Sequence, residues 1–420
     1  MIFPSHLATW IVAATATAGV ILRPWRTSEA LWTTIGALIL VTASLVPWQD
    51  AIQSVARGTD VYLFLAGMML LAELAREEGV FDWLAGQAAR HAVGSAERLF
   101  ALVFAIATVV TIFLSNDATA VVLTPAVHTV AKSLKAKPLP YLLICAFVAN
   151  AASFALPVSN PANLVVFGAH MPSLVSWISR FGLASVLSVL ATYAVLRWHQ
   201  CRALRDTLSE HVALSPLTTN GKLASLGLLL TSIVLLGASM LGARLGMPTF
   251  LCALVCMGMI FVRRREMPWQ VLRGVAWNVF PLLAGMFVLV MGLDQTGAIA
   301  DLSQLLRDMV EASASWAAPV SGMVTALACN LFNNLPAALI AGTVVNAGGL
   351  STHIVDAILV GIDLGPNLSM TGSLATLLWL VSLRREGIRI GNLQFLSVGC
   401  VIMFPALLLA LMGIFVTHPS

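Results

Sequence analysis

The sequence predicts an all-α polytopic membrane protein made of two inverted repeats, each with about five transmembrane helices and one re-entrant helical hairpin. Of the 420 residues, 59% are hydrophobic and only 10% are charged, whereas a soluble domain is about 25% charged. Apolar stretches near the length of a membrane span, about 20 residues, recur along the whole chain. This composition excludes a soluble enzyme and a nucleic-acid-binding protein.

One long polar connection divides the chain into halves. It covers residues 198–222, and we interpret it as a cytoplasmic linker between a first repeat over residues 1–197 and a second over residues 223–420. Residues 65–68 (Leu-Ala-Gly-Met) recur at residues 283–286, and a Gly follows each motif at the same distance. Such constant spacing between separated motifs is typical of an internal repeat.

Each half contains an apolar pair that is too short to be two full spans. The pairs cover residues 99–131 and 316–347, and each is interrupted by two polar residues. These residues are Asn116 and Asp117 in the first pair and Asn333 and Asn334 in the second. We therefore predict two re-entrant hairpins, whose irregular tips are tolerated at membrane depth only where protein or a cavity surrounds them.

Each half also contains an apolar stretch that Pro and Gly interrupt, at about residues 141–171 and 353–381. Proline breaks the helical hydrogen-bond ladder and frees backbone carbonyl groups. A single interruption is usually a kink that neighbouring polar side chains repair. Two interruptions at corresponding places in the two halves favour broken helices that form a binding site at the membrane midplane.

Polar side chains at the tips and breaks are the candidate substrate ligands, because such groups are costly in the bilayer unless they are paired or solvated. The candidates are Ser115, Asn116, Thr119, Asn160, Asn163, Asn333, Asn334, Asn367 and Thr371. The alternative is that some of them only cap the ends of the broken helices.

Asp117 and Asp363 are predicted to couple transport to protons. A carboxyl group in an apolar environment can exist in the neutral or the ionised form near physiological pH. Alternatively, Asp117 is permanently ionised and holds Na⁺ or a neighbouring amide, and Asp363 orients the turn at Asn367.

The distribution of basic residues predicts the topology. With both hairpins returning to their own side and the N-terminus outside, all 23 Lys and Arg residues lie inside except Arg57, Arg180, Arg244 and Arg307. This bias follows the positive-inside rule. Each half then crosses the membrane an odd number of times, so the second repeat is inverted and both termini lie outside. Inverted repeats with broken helices are typical of secondary transporters.

No catalytic motif of soluble enzymes occurs in the chain, and the sequence therefore predicts a transporter rather than an enzyme. His-Glu-x-x-His, G-x-S-x-G and the Walker lysine loop are all absent. The six Cys residues are interpreted as small hydrophobic residues, and we expect no cofactor and no metal site.

Three motifs resemble the arsenical efflux pump membrane proteins (ArsB type) of the ion transporter superfamily. They are residues 113–125, residues 333–336 and, most specifically, the run Asp-Leu-Gly-Pro-Asn-Leu-Ser-Met-Thr-Gly-Ser at residues 363–373. The resemblance implies export of arsenite and antimonite across a bacterial inner membrane in exchange for protons. It also implies a site between the tips and the broken helices, and it raises the hypotheses of a cytosolic ATPase subunit and a homodimer.

Two alternatives remain open at this point. One is a Na⁺-coupled carrier of a carboxylate or another small solute on the same fold, and the other is a gated channel for small neutral solutes. Neither tips nor breaks contain Lys or Arg. This favours arsenite, a neutral trihydroxide, over a dicarboxylate, although helix N-termini can also hold anions.

Overall fold

The computed structural model describes residues 2–24, 27–209, 216–265 and 269–417, and in these ranges the chain forms helices and no strands. The first ten α-helices are α1 (Ile2–Leu22), α2 (Glu29–Thr42), α3 (Trp48–Arg57), α4 (Thr59–Glu77), α5 (Val80–Ala92), α6 (Ala96–Phe113), α7 (Thr124–Ser133), α8 (Leu139–Ala151), α9 (Pro161–Phe167) and α10 (Leu174–Gln200).

The next ten helices follow the connection between Gln200 and Thr219, of which residues 210–215 lie outside the described ranges. They are α11 (Thr219–Met240), α12 (Gly246–Arg264), α13 (Trp269–Gly274), α14 (Val279–Gln295), α15 (Ala298–Ala312), α16 (Ala314–Phe332), α17 (Asn334–Gly348), α18 (Thr352–Leu364), α19 (Leu374–Arg385) and α20 (Asn392–Thr417).

The two sets of ten helices match in order and in their breaks. Gly79 separates α4 from α5, and Gly297 separates α14 from α15, with φ angles of 72° and 88°. A side chain with a Cβ rarely adopts this left-handed conformation, so glycine allows each chain to turn sharply there. The α14–α15 pair bends by 73° at its glycine.

Packing follows the same correspondence. Helix α4 packs along α12, α14 packs along α2, and α10 packs along α20. Gly67 allows the α4–α12 approach, since a Cβ there would lie 2.7 Å from the carbonyl carbon of Thr249. Gly285 does the same for α14, where a Cβ would lie 2.6 Å from the carbonyl carbon of Thr33. Small residues permit such close contacts between membrane helices.

Several helices are long and apolar enough to cross a membrane. Five helices of the described chain meet this criterion individually, namely α6, α10, α11, α12 and α20, and the bent pairs α3–α4 and α14–α15 would raise the number to seven. Many large apolar side chains on α11 and α12 are exposed, as expected for lipid-facing helices. The predicted fold class of an all-α, multi-pass membrane protein is confirmed.

The breaks at the hairpin tips lie close to the predicted residues. The first pair of arms is α6 and α7, and the chain turns at Leu114 and Ser115, slightly before the predicted Asn116–Asp117 break. The second arm begins with a π-helix over Ala118–Leu123. The other pair is α16 and α17, which only Asn333 separates.

Candidate functional site

All three predicted ligand residues near the first tip form hydrogen bonds within the hairpin. The Ser115 hydroxyl accepts a hydrogen bond from the amide of Ala118 at 3.1 Å, and the Asn116 side chain accepts one from the amide of Asp117 at 2.9 Å. The Thr119 hydroxyl lies 2.7 Å from that of Thr111 on the other arm. Ser115 and Asn116 thus cap the second arm, whose first amide groups have no helical partner.

The second tip has amides where the first has a carboxylate. Asn333 adopts a φ of 71°, a conformation that Asn tolerates better than most residues, and its side chain accepts a long hydrogen bond of 3.5 Å from the amide of Leu335. The Asn334 side chain is buried, and its Oδ1 has no hydrogen-bond partner among the described residues. Asn334 therefore retains an acceptor for another group.

The first break lies between α8 and α9, and Asn163 satisfies much of its freed backbone. The Asn163 amide nitrogen donates to the carbonyl groups of Ser153, Leu156 and Pro157 at 3.0, 3.3 and 3.4 Å. Asn160 caps α9 by accepting from the amide of Ala162 at 3.0 Å. Asn163 thus holds the break together through its side-chain nitrogen, although its Oδ1 has no hydrogen-bond partner among the described residues.

The second break bonds directly to the first. The Asn160 amide nitrogen donates to Asp363 Oδ1 at 2.6 Å, and the Asn150 amide nitrogen donates to Asn367 Oδ1 at 2.9 Å. Asn367 in turn donates to the carbonyl of Phe147 at 3.1 Å. All four polar residues are at most 1% exposed. Two buried hydrogen-bonded pairs therefore join the breaks of the two halves, and we call these four residues the central network.

Asp363 is the acidic residue of this network. Its Oδ1 accepts from Asn160, whereas its Oδ2 is buried and has no hydrogen-bond partner among the described residues. A buried carboxyl oxygen without a donor is costly when ionised, so this position suits a group that gains and loses a proton.

Hydroxyl groups surround the start of the second break. Ser369 donates to the side-chain oxygen of Asn330 at 2.7 Å, and Thr371 donates to its backbone carbonyl at 3.2 Å. The Asn330 amide nitrogen donates to the carbonyl of Gly365 at 3.0 Å. These three residues are only partly buried, so their hydroxyl and amide groups are available to a polar solute.

The sequence predicts Thr371 as a substrate ligand, but it does not predict Asn150, Asn330 or Ser369. Asn330 lies just before the second tip and Ser369 lies in the second break, so a polar residue in each of these apolar segments could have indicated a site residue. Asn150 lies near the end of an otherwise apolar stretch, and its polar side chain in that context is its only signal.

Two cavities lie at opposite ends of α4 and α14. A cavity of about 830 Å³ is lined at the start of α4 by Asp60 and in α14 by Met291 and Asp294. A second cavity, of about 50 Å³, is lined further along α4 by Glu73, at the first tip by Asp117, and just before α14 by Ala276. Asp117 thus lines the small cavity, whereas Asp363 lines neither cavity.

The linings of the two cavities correspond through the internal repeat. Residues 69, 72, 73 and 122 line the small cavity, and residues 287, 290, 291 and 339, which lie 218 or 217 positions later, line the large one. The cavities are thus equivalent compartments of the two halves, one wide and one narrow. The described residues contain no cluster of three or more His, Cys, Asp or Glu that could hold a metal ion.

A buried ion pair anchors α18, the helix that carries Asp363. Arg180 on α10 donates through Nε to both carboxylate oxygens of Asp356, at 2.9 and 3.1 Å, and also through Nη2 to Oδ1. The guanidinium group lies over the rings of Phe167 and Phe181 at 5.3 and 5.5 Å. This arrangement ties α18 to α10 and to the end of α9.

Comparisons with known proteins agree with this architecture. The family model described as CitMHS, citrate transporter, matches residues 17–360. An arsenical pump membrane protein of Escherichia coli is 26% identical, with 90% of this chain and 96% of that protein covered. A putative arsenical pump membrane protein of Bacillus subtilis is 25% identical, covering 87% and 89%. The crystal structure of the Alcanivorax borkumensis YdaH transporter superposes with a TM-score of 0.56 at 16% identity, covering 88% of each chain, and shares the fold.

Proposed function

The chain belongs to the CitMHS family of citrate transporters, and from this premise we propose that it is a secondary active transporter that exports arsenite and antimonite in exchange for protons. The membrane fold and the family make it a membrane transporter. The substrate and the proton coupling are our proposal, and the substrate is also supported by the names of the arsenical pump relatives.

The observation that carries the proposal is the chemistry of the central network. It combines the amides of Asn150, Asn160 and Asn367 with one carboxyl group, that of Asp363. No Lys or Arg takes part in the hydrogen bonds that the described network residues make. Neutral donors and acceptors suit an uncharged trihydroxide, and a carboxyl group can carry the exchanged proton.

We propose the following pathway for the substrate. Arsenite enters from the cytoplasm through the small cavity beside the first tip, and leaves through the large cavity at the other end of α4. Asn334 and the hydroxyl groups of Ser369 and Thr371 contact its hydroxyl groups. Asp117 and Asp363 bind and release protons. This direction assumes an inverted second repeat with both termini outside, in a bacterial inner membrane.

A carboxylate carrier is the second candidate, because the family description names citrate. A tricarboxylate needs positive charge or several helix N-termini. Arg57 and Arg244 line the large cavity, but neither belongs to the central network. The absence of Lys and Arg from the hydrogen bonds that the described residues of the central network make therefore favours a neutral substrate over an anionic one.

Reconstitution of this chain alone into proteoliposomes tests the proposed function. We expect arsenite flux that a pH gradient drives and that a sodium gradient does not. Citrate flux, or sodium-driven flux, would support the carboxylate carrier, and downhill arsenite flux without proton movement would support a channel. Because the vesicles contain no second protein, pH-driven flux would also mean that a cytosolic ATPase subunit is not required.

A further inference from the structure

The two equivalent cavities differ in charge at corresponding positions. Glu73 and Asp117 line the small cavity. The corresponding residues of the second half are Met291, which lines the large cavity, and Asn334 at the second tip. The first half therefore has two acidic residues where the second half has Met291 and Asn334, although the helices of the two halves correspond.

Glu73 is buried and rigidly held. It is 6% exposed, and its carboxylate accepts from Arg76 Nη2 at 2.6 Å and from Arg76 Nε at 3.0 Å. On its other side it packs against Gly274, where an added Cβ would meet the Glu73 carboxylate and force it to move. The carboxylate is thus fixed in the wall of the cavity that Asp117 also lines.

Arg76 connects this carboxylate to the solvent. Its side chain is 43% exposed and also bonds to Glu77 at 2.5 Å. Three further charged groups lie near this end of α4. Glu78 pairs with Arg264 of α12 at 3.1 Å, and Arg273 of α13, which packs on α4, is exposed. Glu73 therefore lies between the cavity and a charged, hydrated surface.

We propose that Glu73 is a proton relay between Asp117 and the solvent at this end of α4, an inference that rests on the proton exchange proposed above. The cavity of about 50 Å³ has room for a bridging water molecule. The proton leaves the neutral Asp117 carboxyl group, crosses the water to the ionised Glu73 carboxylate, and passes to solvent beside Arg76. Asp117 ends ionised, and Glu73 returns to its ionised form.

The test is Glu73→Gln, which keeps the size of the side chain and removes its proton-accepting group. In proteoliposomes, we expect arsenite flux driven by a pH gradient to fall by about a hundredfold, a usual contribution of a positioned proton-transfer group. Arsenite–arsenite exchange at equal pH needs no net proton release, so it should fall far less than the pH-driven flux, and size-exclusion chromatography in detergent reports whether the variant folds.

A second variant keeps the inference testable if Glu73→Gln does not fold. In Gly274→Ala the carboxylate is retained, but the new Cβ displaces it from the cavity wall. We expect the same selective loss of pH-driven flux. Gly258→Ala is the matched control, because open space surrounds Gly258.

The outcomes separate the relay from the proposed function. Wild-type protein without pH-driven arsenite flux would overturn both. Wild-type flux that neither Glu73→Gln nor Gly274→Ala slows would overturn the relay alone, and so would an equal loss of exchange and pH-driven flux in a folded variant.

Discussion

Asn160 of the first half donates a hydrogen bond of 2.6 Å to Asp363 of the second half, which joins the two broken helices at their interruptions. A second bond, from Asn150 to Asn367, runs in the same direction between the halves. Both pairs are almost fully buried. These two bonds therefore hold the breaks of the two halves against each other.

The first prediction concerns Asp363→Asn. The amide keeps the shape of the carboxyl group and can still accept from Asn160, so the protein should fold. It cannot carry a proton, and we expect pH-driven arsenite flux in proteoliposomes to fall by about a hundredfold, a usual contribution of a positioned proton-transfer group. Asp301→Asn, at an exposed position of α15, is the control. Normal pH-driven flux in Asp363→Asn would remove this residue from the coupling mechanism.

Much of the fold follows from the sequence because the membrane imposes simple rules. Apolar length predicted a multi-pass membrane protein, and Gly and Pro in apolar context predicted the breaks now seen at residues 152–160 and 365–373. The described residues contain five to seven candidate spans, fewer than the predicted five in each half, because several of the apolar helices are only 10–17 residues long. The repeated glycines Gly67 and Gly285 have a common physical cause, which is the close approach of two helix backbones.

The pairing of polar residues could not be predicted in the same way. Asn160 and Asp363 are separated by most of the second half, and their contact depends on how the halves pack. The Asn163 side chain donates to three carbonyl groups of its own break. The sequence alone does not distinguish an Asn that stabilises the backbone in this way from an Asn that binds substrate. The position of Glu73 in a cavity wall could not be predicted either, because an acidic residue near Arg76 at a span end is usually an interface residue.

The second prediction is that Asp117→Asn abolishes pH-driven arsenite uptake into everted membrane vesicles while the amount of folded protein is unchanged. The tip keeps its caps, since Ser115 and Asn116 bond to backbone amides and not to the Asp117 side chain. Folding can be followed by size-exclusion chromatography in detergent. Uptake that still depends on the pH gradient in this variant would assign proton coupling to another group.

The third prediction concerns the ion pair of Arg180 and Asp356. Arg180→Met alone leaves a fully buried carboxylate without its main counter-charge, so we expect a loss of about 3–5 kcal/mol in stability. The double variant Arg180→Met with Asp356→Leu should recover most of this loss. Thermal unfolding in detergent of the wild type, the two single variants Arg180→Met and Asp356→Leu, and the double variant measures the coupling. Additive losses in the double variant would mean that the pair does not act as a unit.

The fourth prediction tests the correspondence of the two halves. Gly67→Ala and Gly285→Ala each place a Cβ within 2.8 Å of backbone atoms on the packed helix, and we expect each to lose about 1–3 kcal/mol by overpacking. Gly258→Ala has open space and should gain up to about 1 kcal/mol from helix propensity. Thermal unfolding gives the signs directly, and a stabilised Gly67 or Gly285 variant would contradict the close packing of these helices.

The fifth prediction separates structural from substrate-binding amides. Asn163→Ala removes the donor to three buried carbonyl groups, so we expect it to destabilise the protein by about 1–3 kcal/mol. Asn334→Ala removes a side chain whose Oδ1 has no partner among the described residues. It should leave stability nearly unchanged and weaken arsenite transport, seen as a higher KM for flux.

The contrast between the two variants is the decisive measurement for the ligand set. Both are Asn→Ala changes at buried positions, so side-chain size and burial are matched, and only the hydrogen bonds differ. If Asn334→Ala loses stability as Asn163→Ala does and keeps the wild-type KM, the second tip is a capping structure. In that case, the contacts to substrate must come from the partly buried hydroxyl groups of Ser369 and Thr371 instead.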